Sequence, residues 1–285
     1  MKNNMQNGSV LILGAKGMLG GQLLRVFGAR AIGWDREECD ITNFDDTKTR
    51  IERLKPEAVI NCVAFNDVDG AESKVDIAYR LNVAAVGNLA AVCKSLEIPL
   101  VHFSTNYVFD GKKGEYDEQD EPNPQSIYGK SKHQGEIELA KMTDKYYLVR
   151  TAVLFGPKGE SELSKKSFVE IMRELGEKSD TVKAVNDEIN SLTYAPDLAE
   201  AVKSLLDDKK PFGVYHITNS GQASWLDFAS EIFKVLDKQI ALVPVGAEEF
   251  ARKAKRPSKA VLINTKLPAM RPWQEALAEF LNLKP

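Results

Sequence analysis

Near its beginning the chain reads Val10-Leu11-Ile12-Leu13-Gly14-Ala15-Lys16-Gly17-Met18-Leu19-Gly20. The short apolar run at the start of this stretch predicts a buried parallel strand. The glycines then permit a tight turn, a close approach of the backbone to a pyrophosphate, and close packing of the following helix, whose N-terminus attracts anions. The spacing is G-x-x-G-x-x-G, a variant of the commoner G-x-G-x-x-G fingerprint. The stretch therefore favours a dinucleotide-binding turn over a glycine-rich turn without a ligand.

An acidic residue follows at the distance expected for such a turn. Asp35 lies twenty-one positions after Gly14, just past the apolar stretch Ala31-Ile32-Gly33. A carboxylate about twenty residues along typically accepts hydrogen bonds from the adenosine ribose. Arg36 comes next and could instead pair with a 2′-phosphate, so the choice between NADH and NADPH stays open. Lys16, inside the turn, is a second cation that faces either a phosphate or solvent.

Strand and helix patterns alternate through the first half of the chain, which favours a parallel sheet with helices on both faces. Strands are expected at Val10–Leu13, Ala31–Gly33, Ala58–Asn61, Leu100–Ser104 and Tyr146–Arg150. Helices are expected around 18–28, 45–54, 72–96 and 126–142. After about residue 151 the alternation weakens, although helical patterns continue to a last helix that begins near Pro272.

We therefore predict an α/β protein, with a Rossmann-type doubly wound parallel sheet and a smaller mixed α/β substrate-binding lobe. The predicted parts are a disordered tail at 1–9, a dinucleotide-binding Rossmann domain at 10–152, and a mainly substrate-binding lobe at 153–285 that sends segments back to the sheet. Ligands of such sheets bind at the carboxyl ends of the strands, beside the switch in strand order. Gly14, Ala64 and Thr105 all follow strand ends and should gather at this edge.

Tyr128 and Lys132 are four residues apart on a predicted helix, so they share one face. An ammonium beside a phenol favours the phenolate, and we expect it to lower the pKa of Tyr128 from the reference value near 10. Such a tyrosine can exchange a proton with a carbonyl or alcohol oxygen near neutral pH. Alone the pair is a weak signal, because both residue types are common on solvated helix faces. It gains weight from the glycine turn in the same predicted domain.

The composition limits the classes of function. The chain has 285 residues, a formal net charge of −3 and no long basic run. We therefore expect it to bind neither nucleic acid nor a membrane surface. The three cysteines lack a Cys-x-x-Cys spacing, and the three histidines form no ligand pattern, so we expect reduced thiols and no metal. We expect a cytoplasmic protein without a signal peptide. The expected partner is a small molecule, and a homodimer is possible.

Five motifs together resemble the extended short-chain dehydrogenase/reductase superfamily, and within it the dTDP-4-dehydrorhamnose reductase family. The glycine turn matches the cofactor loop of that family. The other matching segments are Asp40-Ile41-Thr42, residues 59–72 (V-I-N-C-V-A-F-N-D-V-D-G-A-E), residues 104–111 (S-T-N-Y-V-F-D-G) and residues 128–132 (Y-G-K-S-K). The last two are the specific part of the resemblance, because many other enzymes share the glycine loop.

The resemblance implies a reductase of a nucleotide-linked 4-keto sugar, most simply one that converts dTDP-4-dehydrorhamnose to dTDP-L-rhamnose with NADPH or NADH. It implies a catalytic triad of Thr105, Tyr128 and Lys132. The implied cofactor-binding residues are Gly14, Lys16, Gly17, Met18, Leu19, Gly20, Asp35, Arg36, Asp40, Ile41, Cys62, Val63, Ala64, Tyr128 and Lys132. The implied substrate-binding residues are Val68, Asn106, Tyr107, Val153 and Arg256.

The sequence departs from the family pattern mainly at the substrate end. Asn106 replaces a usual aspartate, and Val153 stands where the family often has a tryptophan. Residues 187–193 and 256–262 also lack several family residues. A valine at position 153 should enlarge or reshape the sugar pocket.

Two other functions fit the sequence. One is a nucleotide-sugar epimerase that keeps its NAD tightly bound. The other is a non-catalytic, nucleotide-binding regulatory subunit. Retention of Thr105, Tyr128 and Lys132 favours an enzyme.

Overall fold

The computed structural model describes residues 8–161 and 165–282. Its strands, in chain order, are β1 (Val10–Leu13), β2 (Ala31–Trp34), β3 (Ala58–Asn61), β4 (Leu100–Thr105), β5 (Gly114–Tyr116), β6 (Tyr146–Thr151), β7 (Leu154–Phe155), β8 (Thr181–Val185), β9 (Ile189–Asn190), β10 (Thr193–Tyr194), β11 (Gly213–His216), β12 (Ala223–Ser224), β13 (Ala241–Val245) and β14 (Lys259–Leu262).

The helices, in the same order, are α1 (Met18–Phe27), α2 (Phe44–Leu54), α3 (Val68–Ala71), α4 (Val75–Tyr79), α5 (Ala85–Ser95), α6 (Ile127–Met142), α7 (Phe168–Lys178), α8 (Ala195–Asp207), α9 (Trp225–Val235) and α10 (Trp273–Asn282). No helix in the described part of the chain is long and apolar enough to span a membrane.

The main sheet has six parallel strands in the order β11-β6-β4-β3-β1-β2. The chain moves outward from β1 to β2, and then crosses back to β3 on the other side of β1. This reversal is the switch point at which doubly wound sheets bind their ligands. The predicted glycine turn therefore lies at the carboxyl end of the strand where the order reverses. The predicted fold class is confirmed.

Apolar side chains cover both faces of the main sheet. On one face, α1 and α8 pack against alternate residues of the strands, among them Val10 and Ile12. On the other face, α2, α5 and α6 pack against Leu11 and Leu13. Consecutive residues of β1 point to opposite faces and all are buried, which is why this strand reads as a continuous apolar run.

The remaining strands form three small sheets, β10-β7, β12-β9-β14-β5 and β13-β8. Helices α7, α9 and α10 surround a separate apolar cluster that includes Phe155, Phe228 and Trp273. We call this second half the small lobe. One of its strands, β11, pairs with β6 of the main sheet. The boundary between residues 152 and 153 stays a prediction, and residues 1–7 of the predicted tail lie outside the described residues.

The predicted helix at 72–96 differs from the observed structure. The chain forms α3, α4, one turn of π-helix at Arg80–Ala84, and then α5. The π-turn places the fully buried side chain of Asn82 against the segment after β3: its amide accepts a hydrogen bond from Phe65 N (2.8 Å) and donates to Phe65 O (3.1 Å). It also donates to Ser131 Oγ of α6 (3.0 Å). Hydrophobic periodicity cannot reveal such a turn, since its reason is a polar contact with a distant segment.

Candidate active site

The glycine turn has the geometry that a dinucleotide requires. Gly14 has a φ of +77°, and its N–H donates to Trp34 O of β2 (2.9 Å). A Cβ at Gly20 would lie 2.1 Å from Gly14 O, so only glycine lets α1 start this close to β1. Gly17 is the N-cap of α1 and has no side chain to cap the first N–H groups. An anion can take that place, because the N-terminus of α1 carries partial positive charge.

A cavity of about 580 Å³ opens beside this turn. It is lined by Ala15, Lys16, Gly17, Met18, Gly21, Gln22, Leu24, Gly33, Asp35, Glu38, Lys158, Gly159 and Glu160. Asp35 Oδ2 accepts a hydrogen bond from Lys16 N (3.0 Å), so the carboxylate is fixed against the turn. The Lys16 ammonium pairs with Glu37 (2.9 Å). The fold thus brings Lys16, Gly17, Met18 and Asp35 to one cavity, with Gly14, Leu19 and Gly20 in the same turn and helix.

The residues after β2 divide into two groups. Arg36 is exposed and contacts the Asp40 carboxylate at 3.6 Å. Asp40 accepts hydrogen bonds from Thr42 N and Oγ1, which lower the pKa of the carboxyl below its usual range. The side chain of Ile41 packs in the apolar core under α2 and α5. The contact of Ile41 with the cofactor stays a prediction.

The turn after β3 lies against the glycine turn. Cys62 N donates to Leu13 O (2.9 Å), and Val63 Cγ2 lies 3.2 Å from where a Cβ on Gly14 would be. Burial raises the pKa of the Cys62 thiol above its usual range. Ala64 is the next residue along, and it is half-buried. The structure therefore brings the predicted residues 62–64 next to the predicted pyrophosphate turn.

Thr105, Tyr107 and Tyr128 meet at the carboxyl end of β4. The Thr105 hydroxyl accepts a hydrogen bond from Tyr107 N (3.1 Å). The rings of Tyr107 and Tyr128 meet edge to face, with centroids 5.9 Å apart. Ser126 caps the N-terminus of α6 by accepting from Gly129 N (3.2 Å), which fixes Tyr128 in the first turn of that helix. The result is a group of three hydroxyls beside the switch point.

The expected acidification of Tyr128 by Lys132 is wrong for this structure. Burial raises the pKa of Tyr128 to about 12, although the adjacent Thr105 hydroxyl lowers it in part. Burial also lowers the pKa of Lys132 to about 8, partly offset by Glu136. Lys132 Nζ donates to Phe103 O of β4 (2.6 Å). At neutral pH Tyr128 is therefore a protonated phenol, and Lys132 loses its proton at a lower pH than an ordinary lysine does.

Asn106 is buried next to Thr105. Its side chain is 1% exposed, and its Nδ2 donates to Asn190 Oδ1 (2.9 Å) and Ala260 O (3.0 Å). Thr105 Oγ1 donates to Asn106 Oδ1 (3.3 Å). Both N–H donors of the amide are therefore used, and they join the end of β4 to β9 and β14 of the small lobe. The contact of Asn106 with the substrate stays a prediction. In the structure the residue joins two parts of the fold next to Thr105.

Arg256 closes the other side of the site. It pairs with Asp69 of α3 through both terminal nitrogens (2.7 and 3.3 Å). The Asp69 pKa falls to about 2, mainly through this pairing. Burial raises the Tyr107 pKa, while Arg256 lowers it, so the guanidinium also lies near the Tyr107 hydroxyl. Val68, half-buried in the same helix, completes this side.

Val153 has a φ of +39°, which is strained for a β-branched residue. Its carbonyl accepts a hydrogen bond from Thr193 N (3.2 Å), and its side chain packs against the apolar cluster of the small lobe. Its observed contacts are therefore with the small lobe, and its contact with a sugar stays a prediction.

Four residues that the sequence analysis did not single out support the site. Asp69 holds Arg256, and Glu188 holds Arg252 (2.6 Å). Asn61 and His102 form a buried contact behind Lys132. Asp69 was visible within the motif at 59–72, but its partner lies almost two hundred residues further along the chain. Asn61 lies in the same motif and Glu188 in the segment 187–193, but nothing local links them to His102 and Arg252.

A six-stranded parallel sheet with a glycine turn at its switch point and a Tyr-x-x-x-Lys helix defines a dinucleotide-dependent enzyme of the Rossmann class. The chain belongs to the family described as RmlD substrate binding domain, which matches residues 8–284. It is 36% identical over 282 residues to the spore coat polysaccharide biosynthesis protein SpsK of Bacillus subtilis, covering 96% of each chain.

Solved structures agree with this assignment. A dTDP-4-dehydrorhamnose reductase from Clostridium acetobutylicum superimposes with a TM-score of 0.91 at 39% identity, covering 96% of this chain and 99% of that one. The dTDP-4-dehydrorhamnose reductase of Bacillus anthracis, solved in complex with NADP, also gives a TM-score of 0.91, at 33% identity, covering 97% and 99%. The predicted family is therefore confirmed.

Proposed function

We propose that this chain reduces the 4-keto group of a nucleotide-linked deoxysugar with NADPH or NADH, and that dTDP-4-dehydrorhamnose is its substrate. The observation that carries this proposal is that the Thr105 and Tyr128 hydroxyls adjoin at the carboxyl end of β4, while Lys132 Nζ bonds Phe103 O of the same strand. The resulting product is dTDP-L-rhamnose. Relatives that bear the reductase name match nearly the whole of this chain.

The glycine turn fits a dinucleotide because Gly17 gives the N-terminus of α1 no side-chain cap and Val63 lies close to Gly14. Gly159 and Ser161 pack against Lys16 and Gly17 in this structure, so they would border the pyrophosphate. Gly14, Gly17 and the first residues of α1 would hold the pyrophosphate, and Asp35 the adenosine ribose. When bound, the reduced nicotinamide supplies the hydride that the carbonyl carbon requires. The protein supplies the position, the proton and the hydrogen bonds.

Tyr128 is the proton donor in this proposal. Its pKa of about 12 keeps the phenol protonated at neutral pH, so it can pass a proton to the carbonyl oxygen as negative charge grows there. Thr105 would turn its single hydroxyl proton from Asn106 Oδ1 to the same oxygen and stabilise the charge there. The carbonyl carbon thus gains a hydride, its oxygen gains the Tyr128 proton, and the product is an alcohol. Solvent then restores the proton to the phenolate.

Arg256 and Tyr107 hold the nucleotide-sugar side in this proposal. Arg256 is fixed by Asp69, yet its charge remains close to the Tyr107 hydroxyl at the site. A fixed guanidinium suits a diphosphate, because little side-chain entropy is lost when the ligand binds. The proposal also places the enzyme in the cytoplasm and leaves a homodimer possible.

The test is to mix the purified protein with NADH or NADPH and dTDP-4-dehydrorhamnose, and to follow the absorbance of the reduced nicotinamide. We expect oxidation that depends on the sugar, with dTDP-L-rhamnose as the product by chromatography. Cofactor that purifies with the protein, together with an isomerised sugar and no net oxidation, would favour the epimerase instead. No oxidation with any nucleotide sugar would favour the regulatory subunit.

A further inference from the structure

A buried polar contact lies directly behind Lys132. Asn61 ends β3 and His102 lies in β4, where the two residues are register partners in neighbouring parallel strands. Asn61 and His102 are each 1% exposed, and Lys132 is 2% exposed. Their side chains therefore exchange hydrogen bonds with one another and with the backbone, away from solvent.

The partners fix the direction of each hydrogen bond. Asn61 Oδ1 accepts from Val63 N (3.0 Å), which orients the amide. Its Nδ2 is then the donor that faces His102 Nδ1 at 3.2 Å. Since Nδ1 accepts, a neutral His102 must carry its proton on Nε2. Burial and the nearby Lys132 hold the His102 pKa well below its usual range, in agreement with a neutral ring.

The proton on Nε2 decides what Lys132 can be. His102 Nε2 lies 3.3 Å from Lys132 Nζ, while Nζ also donates to Phe103 O. An ammonium has three donors and no lone pair, so a charged Lys132 would set a donor against a donor. A neutral amine accepts the Nε2 proton and still donates to Phe103 O. The geometry therefore favours the neutral amine.

The other charged groups near Lys132 are occupied elsewhere. Glu136, one turn further along α6, favours the charged lysine but is bound by Arg150 of β6 through two hydrogen bonds (2.7 and 3.0 Å). His133 contacts the same carboxylate at 3.4 Å. Tyr128, one turn before Lys132, is a protonated phenol at neutral pH.

We propose that His102, oriented by Asn61, is a positioning residue that favours the neutral form of Lys132 over the ammonium in the free enzyme. Because Asn61 is itself held by Val63 N, the chain of hydrogen bonds begins in the turn that packs against Gly14. The cofactor turn and the catalytic amine are thus joined through three side chains. A consequence for the pH range of turnover rests on the proposed function. The protonation state of Lys132 does not.

The test measures protonation directly in the free enzyme by NMR. Lysine labelled with ¹³C and ¹⁵N is titrated, and the Lys132 signal is assigned by its loss in Lys132→Met. The ring nitrogens of His102 are followed in the same pH range. We expect a Lys132 midpoint near 8 and a His102 proton on Nε2. A His102 proton on Nδ1, or a Lys132 pKa in the ordinary range of lysine, would overturn the proposal.

Two variants of His102 form a matched pair. Gln can accept from Asn61 and donate to Lys132, whereas Leu can do neither. We expect His102→Leu to raise the Lys132 midpoint by about one pH unit and His102→Gln to leave it within a few tenths. An equal midpoint in the two variants would contradict the role of His102. If the Leu variant fails to fold, the ring tautomer and the Gln variant still decide the question.

The reductase assay gives a second readout. The Lys132 limb of the pH profile of kcat/KM should move in His102→Leu and stay in place in His102→Gln. If the protein has no reductase activity, the proposed function fails, while the NMR titration still tests the hydrogen-bond chain.

Discussion

The two sides of the candidate site are built in different ways. On the catalytic side, Thr105, Lys132 and His102 belong to the main sheet and the helix that packs on it, and their partners are backbone groups and buried side chains. On the substrate side, Arg256 and Arg252 come from the loop before β14 and are held by carboxylates of other segments. The sheet fixes the first set, whereas ion pairs fix the second.

The sequence departs from its family pattern mainly on the substrate side. Exposure does not explain this, because Asn106, Asn190 and Ala260 are as buried as the residues of the catalytic side. Asn106 joins the two sides through its hydrogen bonds to Asn190 and Ala260. The asparagine that stands here in place of the usual aspartate therefore lies at the boundary between the two sides.

The largest effect should come from the catalytic side. Tyr128→Phe removes the proton donor and leaves the ring packing, so we expect kcat to fall by roughly a hundredfold or more. The cofactor dissociation constant should stay nearly the same. Steady-state kinetics and cofactor titration measure both. Tyr146→Phe, at the opposite edge of the sheet, is the control and should keep its activity. Near-normal turnover in Tyr128→Phe would remove Tyr128 from the proposed role.

The cofactor turn should be the next most sensitive place. Gly20→Ala puts a Cβ 2.1 Å from Gly14 O, so the turn has to move, and we expect cofactor affinity to fall by about tenfold or more. Gly21→Ala is the matched control, because its Cβ would be 4.0 Å from the nearest atom, Ala15 O. Isothermal titration with NADH and NADPH compares them. Equal affinity in the two variants would show that the turn tolerates a side chain and that its glycine is not required.

A smaller effect is expected on the substrate side. Arg256→Ala should raise the KM for the nucleotide sugar by about tenfold and lower kcat much less, since the contact holds ground state and transition state alike. Lys255→Ala removes an exposed charge from the same loop and serves as the control. The kinetic constants of both variants give the answer. A loss confined to kcat would place Arg256 in the chemistry rather than in binding.

The smallest expected effect concerns the choice of cofactor. Asp35 lies at the turn cavity with Glu38, and Glu37 is next to them, so their negative charge opposes a 2′-phosphate. We expect NADH to bind more tightly than NADPH, and Asp35→Asn to narrow the difference by about threefold to tenfold. Asp45→Asn, exposed in α2, is the control. A preference for NADPH that Asp35→Asn does not change would mean that Arg36 decides instead.

The sequence alone determined the main sheet and most of its helices. A buried parallel strand is a run of apolar residues, and a helix shows its period within a dozen positions, so β1, β3, α1 and α6 were predicted within one or two residues. The glycine turn and the Tyr-x-x-x-Lys pair are also local patterns. Strands of two or three residues, such as β9 and β12, carry too little pattern to be predicted.

Only the tertiary structure decided the partners and the protonation states. Arg256 and Asp69, Asn106 and Asn190, and Asn61 and His102 are far apart in the sequence and meet because the sheet order brings their segments together. The pKa of Tyr128 was expected to fall and instead rises, because burial outweighs its neighbours. Burial is a property of the whole fold, which no spacing of residues along the chain records.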